Sequence, residues 1–271
     1  MPQPLILAAT DLSSRSAHVP GRAAALAGIL GARLILAHVG AEDTGGRRGA
    51  LAKGRGKADE DLETLATRHR AEPLRLSGEP AAALAALAQA EGAALIVLGL
   101  HRERRVLDVL RLTTMERIVL QAPCPVLIAQ WPSEHPYRQV LAPTDFSAAS
   151  AAALIMAARI APQARFHAIH ALSLPLGAIF KRGSRETDAA LDRASARREA
   201  FLATPGLPEL AEVPEIVPGG VHQVLGFRRD ELGADLVAIG AHSGRDPKAL
   251  GNYARDLMRA PPTDLLVAKP G

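Results

Sequence analysis

The sequence has little of what marks several common classes of protein. Among its 271 residues there is one cysteine, and aromatic residues make up only 3%. Cys124 cannot form a disulfide within the chain, so nothing points to an oxidising compartment. No stretch reaches the ~18 apolar residues that a membrane span needs, and the short apolar run from Leu5 lacks the length and basic flank of a signal peptide. We expect a cytoplasmic protein without membrane association.

The charge balance and the motif content exclude further classes. The formal net charge is only +4, and the scarcity of aromatic residues leaves few surfaces on which bases could stack. No helix-turn-helix, zinc-finger or RNA-recognition signature is present, so we do not expect nucleic-acid binding. The chain also has no HExxH, GxSxG or Walker A motif. We therefore expect neither a dedicated hydrolase nor a dehydrogenase, with no catalytic residue and no metal ligand to name.

The chain contains an internal duplication. An apolar run precedes Thr10-Asp11-Leu12-Ser13, and another precedes Thr144-Asp145-Phe146-Ser147. Later apolar runs end in Gly99-Leu100-His101 and Gly240-Ala241-His242. Two further pairs of segments match, namely Leu34 to Val39 with Phe166 to Ala171, and Arg117 to Ala129 with Arg255 to Ala268. Four matches in the same order indicate two copies of one domain.

Each half alternates short apolar runs with longer stretches rich in alanine and leucine. Runs such as Leu95 to Leu98 are apolar without alternation, as in strands buried on both faces of a parallel sheet. Strand–helix alternation predicts a doubly wound α/β fold, in which ligands lie beyond the carboxyl ends of the strands. The break near Trp131 places the domains at residues 1–132 and 136–271. We interpret Asp43 to Lys57, which is rich in glycine and basic residues, as a surface loop, and its role stays open at this point.

The strand ends Thr-Asp-Phe-Ser and Gly-x-His, with Ala-Pro-Cys-Pro before a last apolar strand, resemble the universal stress protein family in its tandem form. The resemblance implies two Rossmann-like domains, each a five-stranded parallel sheet of order 3-2-1-4-5 flanked by helices, packed as an internal pseudo-dimer. It also implies a role in the stress response through ligand occupancy or protein partners. The partners, and any homodimer of the chain, stay open at this point.

Some members of the family bind ATP through Gly-x2-Gly-x9-Gly followed by Ser or Thr. Glycines let backbone N–H groups approach phosphates, and the next helix offers its N-terminus to the anion. In the first half Gly99 is kept, whereas Arg102 and Leu112 replace the other two glycines before Thr113. Thr113 and Glu116 also fit a capping box, which we favour as the interpretation of this segment.

The second half keeps more of the glycine pattern. Gly240 is present, Gly244 is displaced by one position, and Gly251 precedes Asn252, which we expect to cap the next helix. The loop is two residues shorter than the family pattern. If one half binds nucleotide, we expect it to be this one.

The resemblance also assigns the aspartate after each first strand, Asp11 and Asp145, to the adenosine part of the ligand. The complete set of candidate nucleotide-binding residues is Asp11, Val39, Gly99, His101, Arg102, Thr113, Asp145, Gly240, His242, Gly244, Gly251 and Asn252. Three functions follow: a non-enzymatic stress protein with degenerate nucleotide sites, an ATP-binding switch centred on the second domain, or a binder of another small ligand in the same crevice. ATP is the candidate cofactor, Mg²⁺ would accompany it, and at most weak ATP hydrolysis is expected.

Overall fold

The chain divides into two compact units, residues 1–136 and 137–271. The computed structural model describes residues 3–40, 48–100, 112–132, 135–172, 185–242 and 249–270, and for residues 48–55 and Glu186 it describes the backbone alone. Within these ranges no helix combines the length and the hydrophobicity needed to cross a membrane.

The first unit is built around a parallel sheet of five strands among the described residues. The elements in chain order are β1 (Leu5–Ala9), α1 (Val19–Leu30), β2 (Arg33–Gly40), α2 (Arg48–Arg68), β3 (Glu72–Ser77), α3 (Pro80–Ala90), β4 (Leu95–Gly99), α4 (Thr114–Gln121) and β5 (Val126–Ala129). The strands pair in the order β3-β2-β1-β4-β5. This is the 3-2-1-4-5 order that the resemblance implies.

The second unit repeats this topology. Its described elements are β6 (Gln139–Pro143), α5 (Ala148–Ile160), β7 (Arg165–Leu172), α6 (Arg185–Leu202), β8 (Glu215–Pro218), α7 (Val221–Leu232), β9 (Leu236–Gly240), α8 (Asn252–Arg259) and β10 (Asp264–Ala268). Its strands pair, all parallel, in the order β8-β7-β6-β9-β10. The strand order reverses beside β6, as it does beside β1, because the chain adds strands first on one side and then on the other. Folds of this kind bind ligands in the crevice at that point.

The central strands form the core of each unit. Ile6, Leu7 and Ile96 in the first unit and Leu236 and Val237 in the second have no solvent-accessible surface. Strands that are covered by helices on both faces must be apolar along their whole length, which explains why these runs do not alternate.

The interpretation of residues 43–57 as a loop is wrong over most of its length. Helix α2 begins at Arg48, and residues 43–47 lie outside the described ranges. The segment contains alanine, leucine, lysine and arginine, which are strong helix formers. Its glycines weaken a helix by only ~1 kcal/mol each, so the longer helix that follows can extend through them.

Candidate functional site

The turn after β6 positions Asp145 by hydrogen bonds to its own Oδ1. The backbone N–H of Ser147 donates to this atom at 3.1 Å, and the Ser150 hydroxyl donates at 2.9 Å. Phe146 between them adopts a left-handed conformation with φ of 62°. The carboxyl group is therefore held at the carboxyl end of β6 by the start of α5.

The turn after β1 has the same geometry. The backbone N–H of Ser13 donates to Asp11 Oδ1 at 3.0 Å, and the Ser16 hydroxyl donates to the same atom at 2.5 Å. Leu12 has a φ of 59°. These contacts also give both aspartates a structural role, because each organises the entry to the following helix.

Matching histidines join the second strand of each unit to this turn. Nδ1 of His38 lies 2.9 Å from the carbonyl oxygen of Thr10, and Nδ1 of His170 lies 2.7 Å from that of Thr144. A carbonyl oxygen only accepts, so Nδ1 carries a proton in both rings. Among the described residues, neither ring makes a hydrogen bond through Nε2.

A cavity of about 300 Å³ opens at the carboxyl ends of the strands in the second unit. Its polar lining includes Asp145, Ser150, His170, His242 and Asn252. Its apolar lining includes Ile169, Val221, Val224, Leu225 and Ile239. The structure thus brings five residues of the candidate set to one cavity, namely Asp145, Gly240, His242, Gly251 and Asn252. Gly244 lies outside the described residues.

His242 and Gly251 bracket the segment that leads from β9 to α8. His242 is only 7% exposed, and its Nδ1 donates to the carbonyl oxygen of Ala249 at 2.6 Å. The backbone N–H of Gly251 donates to the carbonyl oxygen of Ala241 at 3.0 Å. These two bonds hold the ends of the segment together beside the cavity.

The first turn of α8 contributes backbone to the same cavity. Gly251 is the N-cap residue, with no side-chain hydrogen bond to the turn, and the helix begins at Asn252. The expectation that Asn252 is the N-cap is therefore wrong by one position. Asn252, Tyr253 and Ala254 line the cavity, and amides in a first helical turn have no partner within the helix.

The glycines that end β4 and β9 have a structural reason that the motif does not reveal. A Cβ on Gly240 would lie 2.8 Å from the Cβ of Ala149 and 2.9 Å from the backbone N of Ser150. A Cβ on Gly99 would lie 3.1 Å from Cγ2 of Val19. The close approach of α5 to the end of β9, and of α1 to the end of β4, therefore accounts for both glycines without a ligand.

In the first unit, the corresponding helix is α4, and side chains of the protein cap its N-terminus. The hydroxyl of Thr113 accepts from the backbone N–H of Glu116 at 3.2 Å, and Glu116 Oε2 accepts from the backbone N–H of Thr113 at 2.6 Å. This confirms the capping box at Thr113. Val39 lies half-buried at the end of β2, whereas His101 and Arg102 lie outside the described residues.

Sequence reasoning missed the wall that α7 and Tyr253 form. Val221, Val224 and Leu225 reach the cavity from a helix with no ligand motif, and only the Gly-Asn-Tyr run could have drawn attention to Tyr253. The Tyr253 hydroxyl is buried and has no hydrogen-bond partner among the described residues. This burial raises the pKa of the phenol. No group of three or more His, Cys, Asp or Glu side chains in the described part of the chain could hold a metal ion.

The fold defines a tandem of two doubly wound α/β domains. The model of the family described as "Universal stress protein family" matches residues 5–130 and again residues 136–269. The chain therefore belongs to the universal stress protein family and carries two of its domains.

Solved structures support the same fold. A universal stress protein from Archaeoglobus fulgidus DSM 4304 is 18% identical with a TM-score of 0.68, and the match covers 98% of this chain and 96% of that one. A protein of unknown function from Pseudomonas aeruginosa PAO1 is 21% identical with a TM-score of 0.65, covering 99% and 93% of the two chains. No curated protein matches the chain.

Proposed function

We propose that this chain is a non-enzymatic stress-response protein that acts through ligand occupancy, with an adenine nucleotide bound in the cavity of the second domain. The observation that carries the proposal is the convergence of Asp145, His170 and the first turn of α8 on one cavity of about 300 Å³. A cavity of this size with apolar walls and a few convergent polar groups has the usual character of a small-molecule site.

The parts of the cavity suit different parts of such a ligand. The aliphatic side chains of Ile169, Val224 and Ile239 offer apolar surface for a base. The carboxyl group of Asp145 is an acceptor for ligand hydroxyl or amino groups. The amides at the start of α8 favour an anionic group, with Mg²⁺ accompanying ATP in solution.

Calorimetric titration with ATP, ADP and AMP, each with and without Mg²⁺, tests the proposal. We expect saturable binding in the wild-type chain, and we expect Ala171→Phe to abolish it because the larger side chain would fill the cavity from β7. The matched control is Val39→Phe, at the equivalent position of the first domain, which should leave binding unchanged. A wild-type chain that shows no binding heat at millimolar nucleotide would overturn the proposal.

A small apolar ligand is the second candidate, because five aliphatic side chains line the same cavity. An apolar fluorescent probe separates the two. The cavity serves an apolar ligand instead if the probe binds the wild-type chain, if no nucleotide displaces it, and if Ala171→Phe abolishes its binding.

A further inference from the structure

We propose that Glu116 acts as a built-in anion that closes the first domain to ligand, so that the chain takes up a single ligand, in its second domain. The inference rests on the proposed function and adds a stoichiometry and the residues that set it. It is based on a difference between two equivalent helices in the groups that accept hydrogen bonds from the backbone amides of the first turn.

Helices α4 and α8 are counterparts within the duplication. Each follows the fourth strand of its domain and precedes the fifth, and the sequence match aligns Arg117 with Arg255. Thr113 therefore corresponds to Gly251, and Glu116 corresponds to Ala254. Any difference between these two pairs has arisen at positions that began as the same residue.

In the first domain both ends of the capping box are made. Thr113 caps the amide of Glu116, and the Glu116 carboxylate reaches back to the amide of Thr113 at 2.6 Å. Glu116 is completely buried. The N-terminus of a helix favours one negative group, and in α4 a side chain of the protein already occupies that position. A ligand phosphate would have to displace it and would meet like charge.

In the second domain neither half of the box exists. Gly251 has no side chain, and Ala254 places a methyl group where the first domain has a carboxylate. Both residues line the cavity, together with Asn252 and Tyr253. The first turn of α8 is therefore open to a ligand at the place where α4 is filled from within.

Exchanging the two pairs of residues tests the inference. Gly251→Thr with Ala254→Glu builds the capping box into α8 and should weaken ATP affinity by about tenfold or more, with no fall in the thermal midpoint. Gly251→Thr with Ala254→Gln is the matched control, because it has the same size without the charge and should retain more affinity. The opposite exchange, Thr113→Gly with Glu116→Ala, should add a second and weaker site.

Calorimetry gives the stoichiometry, and we expect one ATP per wild-type chain. Two ATP per wild-type chain, or full affinity in the variant with the capping box in α8, would overturn the inference. If the opposite exchange does not fold, Glu116→Gln replaces it, since glutamine keeps the capping geometry and removes the charge.

The inference can be separated from the proposed function by a simpler anion. If the wild-type chain binds no nucleotide, the proposed function fails on its own. Inorganic phosphate should still raise the thermal midpoint of the Glu116→Gln variant more than that of the wild type. Equal shifts in the two proteins would show that Glu116 does not exclude anions.

Discussion

Two tyrosine hydroxyls of the second domain lie out of reach of solvent and differ in their partners. The Tyr137 hydroxyl donates to Oδ2 of Asp264 at 2.6 Å, between residues that are 3% and 2% exposed. The Tyr253 hydroxyl has no hydrogen-bond partner in the part of the chain that the structure describes, although its ring packs edge-on against His222 at 5.1 Å. A buried hydrogen bond and a buried unsatisfied hydroxyl contribute to stability with opposite signs.

The same substitution at the two positions should therefore have opposite effects. We expect Tyr253→Phe to raise the free energy of unfolding by up to about 1 kcal/mol, because it removes a desolvated group that gains nothing. We expect Tyr137→Phe to lower it by about 1–3 kcal/mol, because a buried acceptor loses its donor. Urea denaturation followed by circular dichroism measures both.

The pH dependence gives an independent readout at Tyr253. Its pKa is raised in the folded chain, so the folded state holds this proton more tightly than the unfolded chain does. That contribution is fully present below pH ~10 and is lost as the pH rises above it. The alkaline loss of stability should be shallower in Tyr253→Phe, and an unchanged slope would contradict the assignment.

At the scale of elements, the contact between the end of the fourth strand and the first helix of its domain decides which glycines matter. Gly240 would meet backbone atoms of α5 at 2.9 Å if it carried a Cβ, whereas Gly99 would meet the end of one valine side chain at 3.1 Å. Backbone of a packed helix cannot move aside cheaply, but a side chain can rotate or shift. The two equivalent glycines should therefore tolerate alanine to different degrees.

We expect Gly240→Ala to lower the free energy of unfolding by about 1–3 kcal/mol, the usual cost of overpacking. Gly99→Ala, its matched control, should cost clearly less. Urea denaturation of the two variants checks the difference, with hydrogen exchange assigning the loss to one domain or the other. Equal losses would show that the distances to Ala149 and Val19 do not control the packing.

The strands were predictable from the sequence because burial on both faces leaves a strong local signature. The run Leu95 to Leu98 and the strand β4 (Leu95–Gly99) differ by one residue. The start of α8 was less predictable, since both glycine and asparagine are good N-cap residues. Gly251 has an extended backbone and its carbonyl oxygen accepts from the N–H of Arg255, which makes it the N-cap. Its own N–H bonds to the carbonyl oxygen of Ala241 at a strand end, a tertiary contact that the local sequence does not reveal.

The candidate site was predictable only in part, because some of its residues are brought together by tertiary contacts. Asp145 and Gly240 follow strands, so the topology alone brings them to one edge of the sheet. Val221 and Val224 come from a helix whose position over that edge has no local signal in the sequence. The helical start at Arg48 was also missed, because glycines in a basic segment indicate a loop more strongly than a helix.

At the scale of the whole molecule, duplication has produced two domains with one topology and two different helix starts. Both keep the aspartate turn and the histidine that binds the threonine carbonyl. These contacts organise the turns after β1 and β6. The domains differ at the start of the helix after the fourth strand: Thr113 and Glu116 form a capping box, whereas Gly251 and Ala254 line a cavity.

This difference between the domains predicts that a bound ligand will slow hydrogen exchange in the second domain alone. With ATP at ~100 times its dissociation constant, binding should add about 2.7 kcal/mol to the stability of the state that holds it. Hydrogen exchange should then slow in the turn after β6, the start of α7 and the first turn of α8, since these segments line the cavity. The turn after β1 and the first turn of α4 should exchange at unchanged rates, and they serve as the internal control. Slowing in α4 equal to that in α8 would mean that both domains bind, and that the carboxylate of Glu116 yields to the ligand rather than excluding it.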